Sequence, residues 1–402
     1  MAALTPASNN TRVIYAMQGL AIGPINSTGV VDSWGASSNQ NDFTSTADLV
    51  VAHGVQSFEV TTNFNLEQIF ELGRLSLYEN YEEVPDIEIT IEKVLDGYSM
   101  LYHLATPTAT NPTLTGRADS RCDVRLVIGL GSDTYIGAGN SGVTELYCSG
   151  MYISSESLTF GSDGNFTEST TLVGNDKQWL VDDSNTVLIG AGGAIVDAFA
   201  TAVFGTDAPD SPGQSVLRRQ NVVIGSDGIT LGSHTFKTVV PSFIEGATAG
   251  ATGVSTGGLS TNCSYIPVGG ALHLNSFSTS VDLGREQINE LGAKLPYTRF
   301  VSFPVDVTTD LEVTAVAGDN ITASGEAKNL SDHSIQIVLD DSTVVQLGNK
   351  NKVTSVTYGG GDTGGGNATI TYSMINSNDF VVLHSGDPMP TDANDYFIDW
   401  FA

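Results

Sequence analysis

Apolar and polar positions alternate strictly over Asp86-Ile87-Glu88-Ile89-Thr90-Ile91-Glu92, so that three isoleucines share one face and carboxylates and a hydroxyl share the other. This is the period of a half-buried β-strand. The same division returns in Asp306-Val307-Thr308-Thr309-Asp310-Leu311-Glu312-Val313. The stretch ahead of each strand is itself written twice. Residues 57–85 lie on residues 276–304 after a shift of 219 positions, with no gap and with 10 of 29 residues identical. Unrelated sequences of ordinary composition would share roughly two. The second strand lags by one residue, which predicts a β-bulge at Val305.

Inside the repeat, Leu66, Ile69 and Phe70 fall at i, i+3 and i+4. With Asn65 as cap and Gly73 as the terminating glycine, that spacing predicts a short helix. The second copy keeps Ile288 and Gly292, with Asp282 as an alternative cap. Strands are predicted at 13–17, 49–52 and 56–62, and further on at 124–128, 144–148, 151–157 and 167–173. The last four have partners at 335–339, 343–346, 353–358 and 369–374, and Gly164-Asn165 and Gly366-Asn367 supply a turn before the final strand of each set. The expected fold is mainly β: two related antiparallel β-sandwich or barrel domains, each with a short flanking helix. The first spans 1–205 and the second 206–402, divided at the proline-containing run 207–213. A strand and a helix are expected in the segment 186–205, which the duplication does not explain, and a loop at 246–258.

Composition sharpens this reading. Glycine occurs 44 times and charged residues make up only 15%, as in a turn-rich β protein. The formal net charge of −29 is spread over both halves, and a surface that negative repels nucleic acid and acidic membranes. Cys122, Cys148 and Cys263 form neither a CxxC pair nor an even set, which argues against a disulfide framework or a zinc site. The start shows no basic segment followed by an apolar run, and no apolar stretch reaches the ~20 residues of a membrane span. A soluble protein made in a reducing cytosol is expected, with no membrane partner.

Catalytic motifs are missing. The GAGNSG run at 137–142 is followed by a strand-like segment, whereas phosphate binding needs a helix N-terminus there; the run from Gly190 has Ile195 where the motif needs its third glycine, and the glycines at 359–366 lack Gly-Lys-Ser/Thr. The six histidines are scattered, with no HExxH, no GxSxG and no DxDxDG. No cofactor, metal or catalytic residue is assigned. Two features remain. Asp86, Glu88, Glu92, Asp306, Asp310 and Glu312 form the polar fronts of the repeated strands, either as an ordinary solvated face or as a front on a space kept negative. Tyr396, Phe397, Trp400 and Phe401 crowd the chain end, where exposure would be costly, so they dock on their own domain or on a neighbouring subunit.

The LEQIFELGR and REQINELGA segments ahead of a tyrosine-containing loop, the run YENYEEVPDIEITIEKVLDG and the closing NFTESTTLVGNDKQW resemble bacteriophage tail tube proteins in a duplicated form, over most of 45–180 and 265–385. The resemblance implies a structural virion protein whose β units close six to a ring, and whose rings stack into a tube that the genome traverses. It also implies partners: further copies of itself, other tail proteins such as tape measure, terminator or sheath, and DNA in transit. Its location would be the virion tail, and the host cytoplasm during assembly. An acidic lining lined by the repeated strands suits passing DNA, which a basic lining would hold through its phosphates. The competing class is a capsid decoration, fibre or surface-layer protein of two β-domains. A glycosidase using paired carboxylates is a third.

Overall fold

The computed structural model describes residues 13, 15, 18–25, 29–31, 48–106, 112–129, 142–181, 188–189, 195–196, 215–225, 228–231, 234–244, 263–266, 272–293, 296–319, 321, 333–361 and 366–384. The expected boundary at 207–213, the loop at 246–258 and the aromatic residues Tyr396, Phe397, Trp400 and Phe401 lie outside them. In the segment 186–205, Leu188–Ile189 pairs with Ile195–Val196, so a short strand stands where a helix was expected.

In the first copy the elements run β1 (Gln18–Pro24), β2 (Asp48–Val51), β3 (Val55–Asn63), β4 (Leu66–Phe70), β5 (Leu77–Glu82) and β6 (Asp86–Val94). Two one-turn helices follow, α1 (Leu101–Leu104) and α2 (Leu114–Arg117), and then β7 (Cys122–Gly129), β8 (Gly142–Gly161), β9 (Thr167–Gly174) and β10 (Asp176–Val181). One sheet has the order β3-β6-β9-β8 and a second the order β2-β1-β7-β8-β10. The 20-residue β8 serves both, its second half pairing with β9 and its first half with β7 and β10.

The second copy repeats this plan with β11 (Val239–Pro241), β12 (Cys263–Tyr265), β13 (Leu274–Asp282), β14 (Arg285–Ile288), β15 (Thr298–Val301), β16 (Asp306–Thr314), β17 (Gln336–Val338), β18 (Val344–Gln346), β19 (Lys352–Gly360), β20 (Ala368–Ser377) and β21 (Val381–Leu383). Its sheets are β13-β16-β20-β19 and β12-β11-β17-β18-β21. Even the irregularities repeat. Pairing slips between Val55 and Ser57 in β3 and between Leu274 and Ser276 in β13, positions 219 apart. It slips again at Ser154 in β8 and at Thr354 in β19. Bulges at matching ladder positions mark one fold used twice. The bulge expected at Val305 does not form: the ladder between β16 and β20 runs without a shift from Asp306, and the one-residue lag is taken up ahead of β16. There Val305 exchanges backbone and side-chain hydrogen bonds with Asn378.

The helices expected at 65–72 and its counterpart are β-hairpins. β4 pairs with β5 and β14 with β15, in the same register 219 residues apart. Leu66, Ile69 and Phe70 all lie exposed, so no core selects the helical stripe that their spacing suggested. Gly73 and Gly292 do adopt positive φ, +91° and +89°, but as turn residues: Arg74 N–H donates to Glu71 O at 3.1 Å and Ala293 N–H to Glu290 O at 3.3 Å.

The two copies share a sheet and a core. The second half of β8 pairs with β13, Ser157 opposite Ser280 and Gly161 opposite Ser276. The sheet β3-β6-β9-β8-β13-β16-β20-β19 therefore runs through both copies, and among the described residues its edges are β3 and β19. Ile87, Ile89 and Ile91, with Val307 and Leu311 at the matching places, point inward against Ile22, Val124, Ile337 and Val345 of the second sheets in one continuous cluster. Each such side chain contributes about 1.5–3 kcal/mol.

Glu156 and Glu168 are two of the carboxyl groups buried in the first copy. Glu168 accepts the N–H groups of Leu101 and Tyr102, both at 2.9 Å, and so satisfies the start of α1, which has no side-chain cap of its own. Glu156 accepts from Thr170 Oγ1 at 2.6 Å. Burial, and then the charge of Glu168, raise Glu156 well above the usual carboxyl range; burial raises Glu168 as well, against the Tyr102 N–H and Lys93. In the second copy Val356 and Ile370 stand at these two places. A raised folded pKa means that the folded chain keeps protons that the unfolded chain releases, so stability is full below the unfolded value of 4.5 and falls as pH rises above it. Glu156→Gln is expected to change thermal stability little at pH 4.5 and to raise the melting temperature by several degrees at pH 8, a difference that calorimetry at the two pH values checks.

Candidate functional site

The outward face of the eight-stranded sheet collects the acidic residues of both repeats. Alternation carries it: where Ile87, Ile89 and Ile91 point to the core, Asp86, Glu88, Thr90 and Glu92 point away, and β16 repeats the division with Asp306, Thr308, Asp310 and Glu312. All six carboxylates singled out in the sequence lie on this one face. Two more join them: Glu59 opposite Thr90 on β3, and Asp282 opposite Ser155 on β13, which was expected as a helix cap and instead ends a strand. Against these eight stand, among the described residues, Lys352 at the end of β19 and the Arg299 guanidinium at Asp86. Lys93, the lysine of β6, points inward and pairs with Asp96 at 3.0 Å.

The strands between the acidic ones carry hydroxyls. Glu92 faces Ser57 and Ser169 across the ladders, and Asp310 faces Ser278 and Ser373. Glu312 faces Ser276 and Thr371, while Glu88 faces Thr61 and half-buried Val173. No acidic side chain of β6 or β16 meets another directly across a ladder. β6 and β16 are four ladder steps apart, about 19 Å, which exceeds the screening length of ~8 Å at physiological salt. A single sheet can thus hold many like charges at little cost to its own pairing. Ser57 Oγ donates to Glu92 at 3.0 Å and Asn275 Nδ2 to Glu312 at 3.3 Å, which fixes two of the carboxylates.

Asp86 differs from the rest. Arg299, on the second hairpin, donates to Asp86 and also to Asn175, whose amide in turn donates to Asp86 at 3.3 Å. Partial burial pushes the Asp86 carboxyl upward, but hydrogen bonds from Asn65, Arg299 and Asn175 and the Arg299 charge outweigh it, and its pKa is lowered. This ties the hairpin of the second copy to the rim of the first. Arg285 adds a second tie, donating to Ile153 O at 2.7 Å and lying over the Tyr152 ring, 4.9 Å from its centre. Periodicity along the chain could not reveal either arginine, since both act on residues more than 120 positions away.

Exposed apolar side chains mark the first hairpin. Phe64, Leu66, Phe70, Leu72, Leu75, Tyr78 and Tyr81 are all exposed, and the second hairpin exposes Ile288, Leu291, Tyr297 and Phe300. Among the described residues no group of three or more histidine, cysteine or acidic side chains is placed to hold a metal ion.

No family model matches the chain, and no curated protein matches it. Among solved structures it matches one described as the anti-feeding prophage cap, the AFP tube terminating cap, at 11% identity over 45% of this chain and 99% of that chain, with a TM-score of 0.29. A likeness of that degree carries no argument about this chain.

The ties of the second hairpin lead to a measurable contrast. Arg299→Ala should raise amide hydrogen exchange over 285–301 about tenfold, toward the rate of the untied hairpin at 66–82, with the core strands unchanged. Exchange followed by mass spectrometry decides it, and an unchanged rate would mean that the arginine does not hold the hairpin.

Proposed function

We propose that the chain is a structural subunit of a phage tail tube, not an enzyme, and that the acidic sheet face lines the passage. The observation that carries this reading is one continuous sheet, built equally from both copies, that gathers eight carboxylates on a single face. A lining of fixed negative charge does not bind passing duplex DNA, whereas basic groups would hold it through counterion release. The hydroxyls between the carboxylates keep the lining wetted without adding positive charge.

The same sheet sets the number of copies. Three chains supply 24 strands, which at ~4.8 Å spacing give a circumference of about 115 Å and a diameter of about 37 Å before strand tilt widens it. Side chains reach roughly 5 Å inward from each wall, half the usual spacing between packed sheets, and leave a passage wide enough for a duplex. Closure also removes the sheet edges that a single chain leaves open. The exposed apolar hairpins then lie where stacked rings meet. The partners are further copies, the tail proteins that fill, end or surround such a tube, and DNA in transit; the place is the virion tail, after assembly in the host cytoplasm.

Two measurements test this. Native mass of one ring is expected to give three chains with pseudo-sixfold density in cross-section, and six chains under strict sixfold symmetry would sink the reading. Replacing Glu88, Glu92, Asp310 and Glu312 with lysine should leave rings forming, yet turn tubes that ignore duplex DNA into tubes that retain it at low salt, with binding that falls steeply as salt rises. Equal DNA retention by parent and variant tubes would return these carboxylates to an ordinary outer surface.

A further inference from the structure

We infer that β19 of one chain pairs with β3 of the next in the register that β8 and β13 already use inside a single chain, so that the internal joint is the template for the external one. The inference rests on the ring proposed above and specifies how its copies meet. It starts from equivalence: β19 is the second-copy counterpart of β8 at an offset of 200 residues, and β3 the first-copy counterpart of β13 at an offset of 219, as their shared bulges fix. At the internal joint Thr279 faces Leu158 and Ser280 faces Ser157. Carried over, Val60 faces Tyr358 of the neighbour and Thr61 faces its Thr357.

Exposure argues for the same occupant. Leu283, just beyond β13, is 3% exposed and donates its N–H to Ser154 O at 2.8 Å, whereas its counterpart Phe64 is 68% exposed. Leu158 is fully buried under the joint, and its counterpart Tyr358 is 57% exposed. Large apolar side chains therefore stand open at both free edges where their counterparts are covered at the joint. The hairpins agree, since β14 and β15 lie against the first copy through Arg285 and Arg299, while every residue of β4 is exposed. A neighbour's β19 is the surface of the right shape for β3 and β4. The polar contact changes identity in a complementary way. Tyr152 meets Thr298 at 3.2 Å within the chain, and the counterparts of these two are Lys352 and Glu79, of opposite charge.

Cysteine pairs test the register in the assembled full chain. Thr61→Cys with Thr357→Cys should form disulfide-linked oligomers, with the linked peptides read by mass spectrometry, whereas Glu59→Cys with Ser355→Cys, four residues out of register and so ~13 Å apart, should not. Micrographs of the same samples report rings independently. Rings with no 61–357 link, or with a 59–355 link, overturn this joint and leave the ring standing; a chain that stays monomeric and unlinked overturns both. Phe64→Ser, at a side chain open in the single chain, should raise the concentration for half-assembly at least about tenfold while the melting temperature of the monomer stays the same. Unchanged assembly would count against the joint.

Discussion

Backbone pairing between β8 and β13 is the interaction on which the architecture depends. A strand at the edge of a sheet carries a row of unsatisfied N–H and C=O groups, and each copy taken alone would have two such edges. Joining the copies satisfies one edge from each, and the core then crosses the joint without a break, with Leu158 and Phe160 of the first copy packed in the same cluster as Phe277 and Val281 of the second. The common sheet brings both acidic strands onto one face. Two isolated sandwiches would carry the same carboxylates but nothing would aim them in a common direction.

Much of this was legible in the sequence, and the limits have physical causes. The strict alternation at 86–92 and 306–313 specified both strands and their exposed carboxylates, because a side-chain period of two has one structural meaning when the run is long. The hairpins were misread because five residues cannot distinguish the two periods: Leu66, Ile69 and Phe70 fit a helical stripe, yet none of them is buried. Gly73 and Gly292 signalled a positive φ correctly, but a turn between strands requires it as readily as a helix end does. Glu59 went unnoticed since Phe58 and Val60 beside it are only half-buried at a free edge, and Asp282 resembled a helix cap. Nothing local could announce Arg285 or Arg299, whose partners are distant in the chain.

The two copies have diverged where local structure differs. In the first, α1 follows β6 and begins with backbone N–H groups that need acceptors inside the core; Glu168 supplies them. That places one carboxyl beside another, Glu156, in a region where both resist ionisation. At the matching ladder positions the second copy has Ile370 and Val356, and its interior there is apolar. Glu168 is thus explained by the helix it caps, Glu156 is held beside it by Thr170, and neither has a part in the outward acidic face.

Divergence at the joints follows a related logic. The internal joint forms within one chain, where its two halves are held at high effective concentration, and it can be greasy and tightly tied without risk to solubility. The external joint of the proposed ring would have to remain open in water until a neighbour arrives, and an open, regular, apolar strand edge invites indiscriminate pairing. The substitutions between the copies relieve that hazard. Where the internal joint has Tyr152, Thr298 and Arg299, the counterpart positions carry Lys352, Glu79 and Asn80, and where β8 packs Phe160 against Phe277, β19 ends on Gly360. In the ring proposed above, Lys352 on β19 and Glu79 on the hairpin beside β3 would keep like edges apart while favouring the one combination that continues the sheet. Duplication within a single chain makes this asymmetry possible. A subunit with one copy would have to use the same strands, with the same side chains, at every joint of its ring.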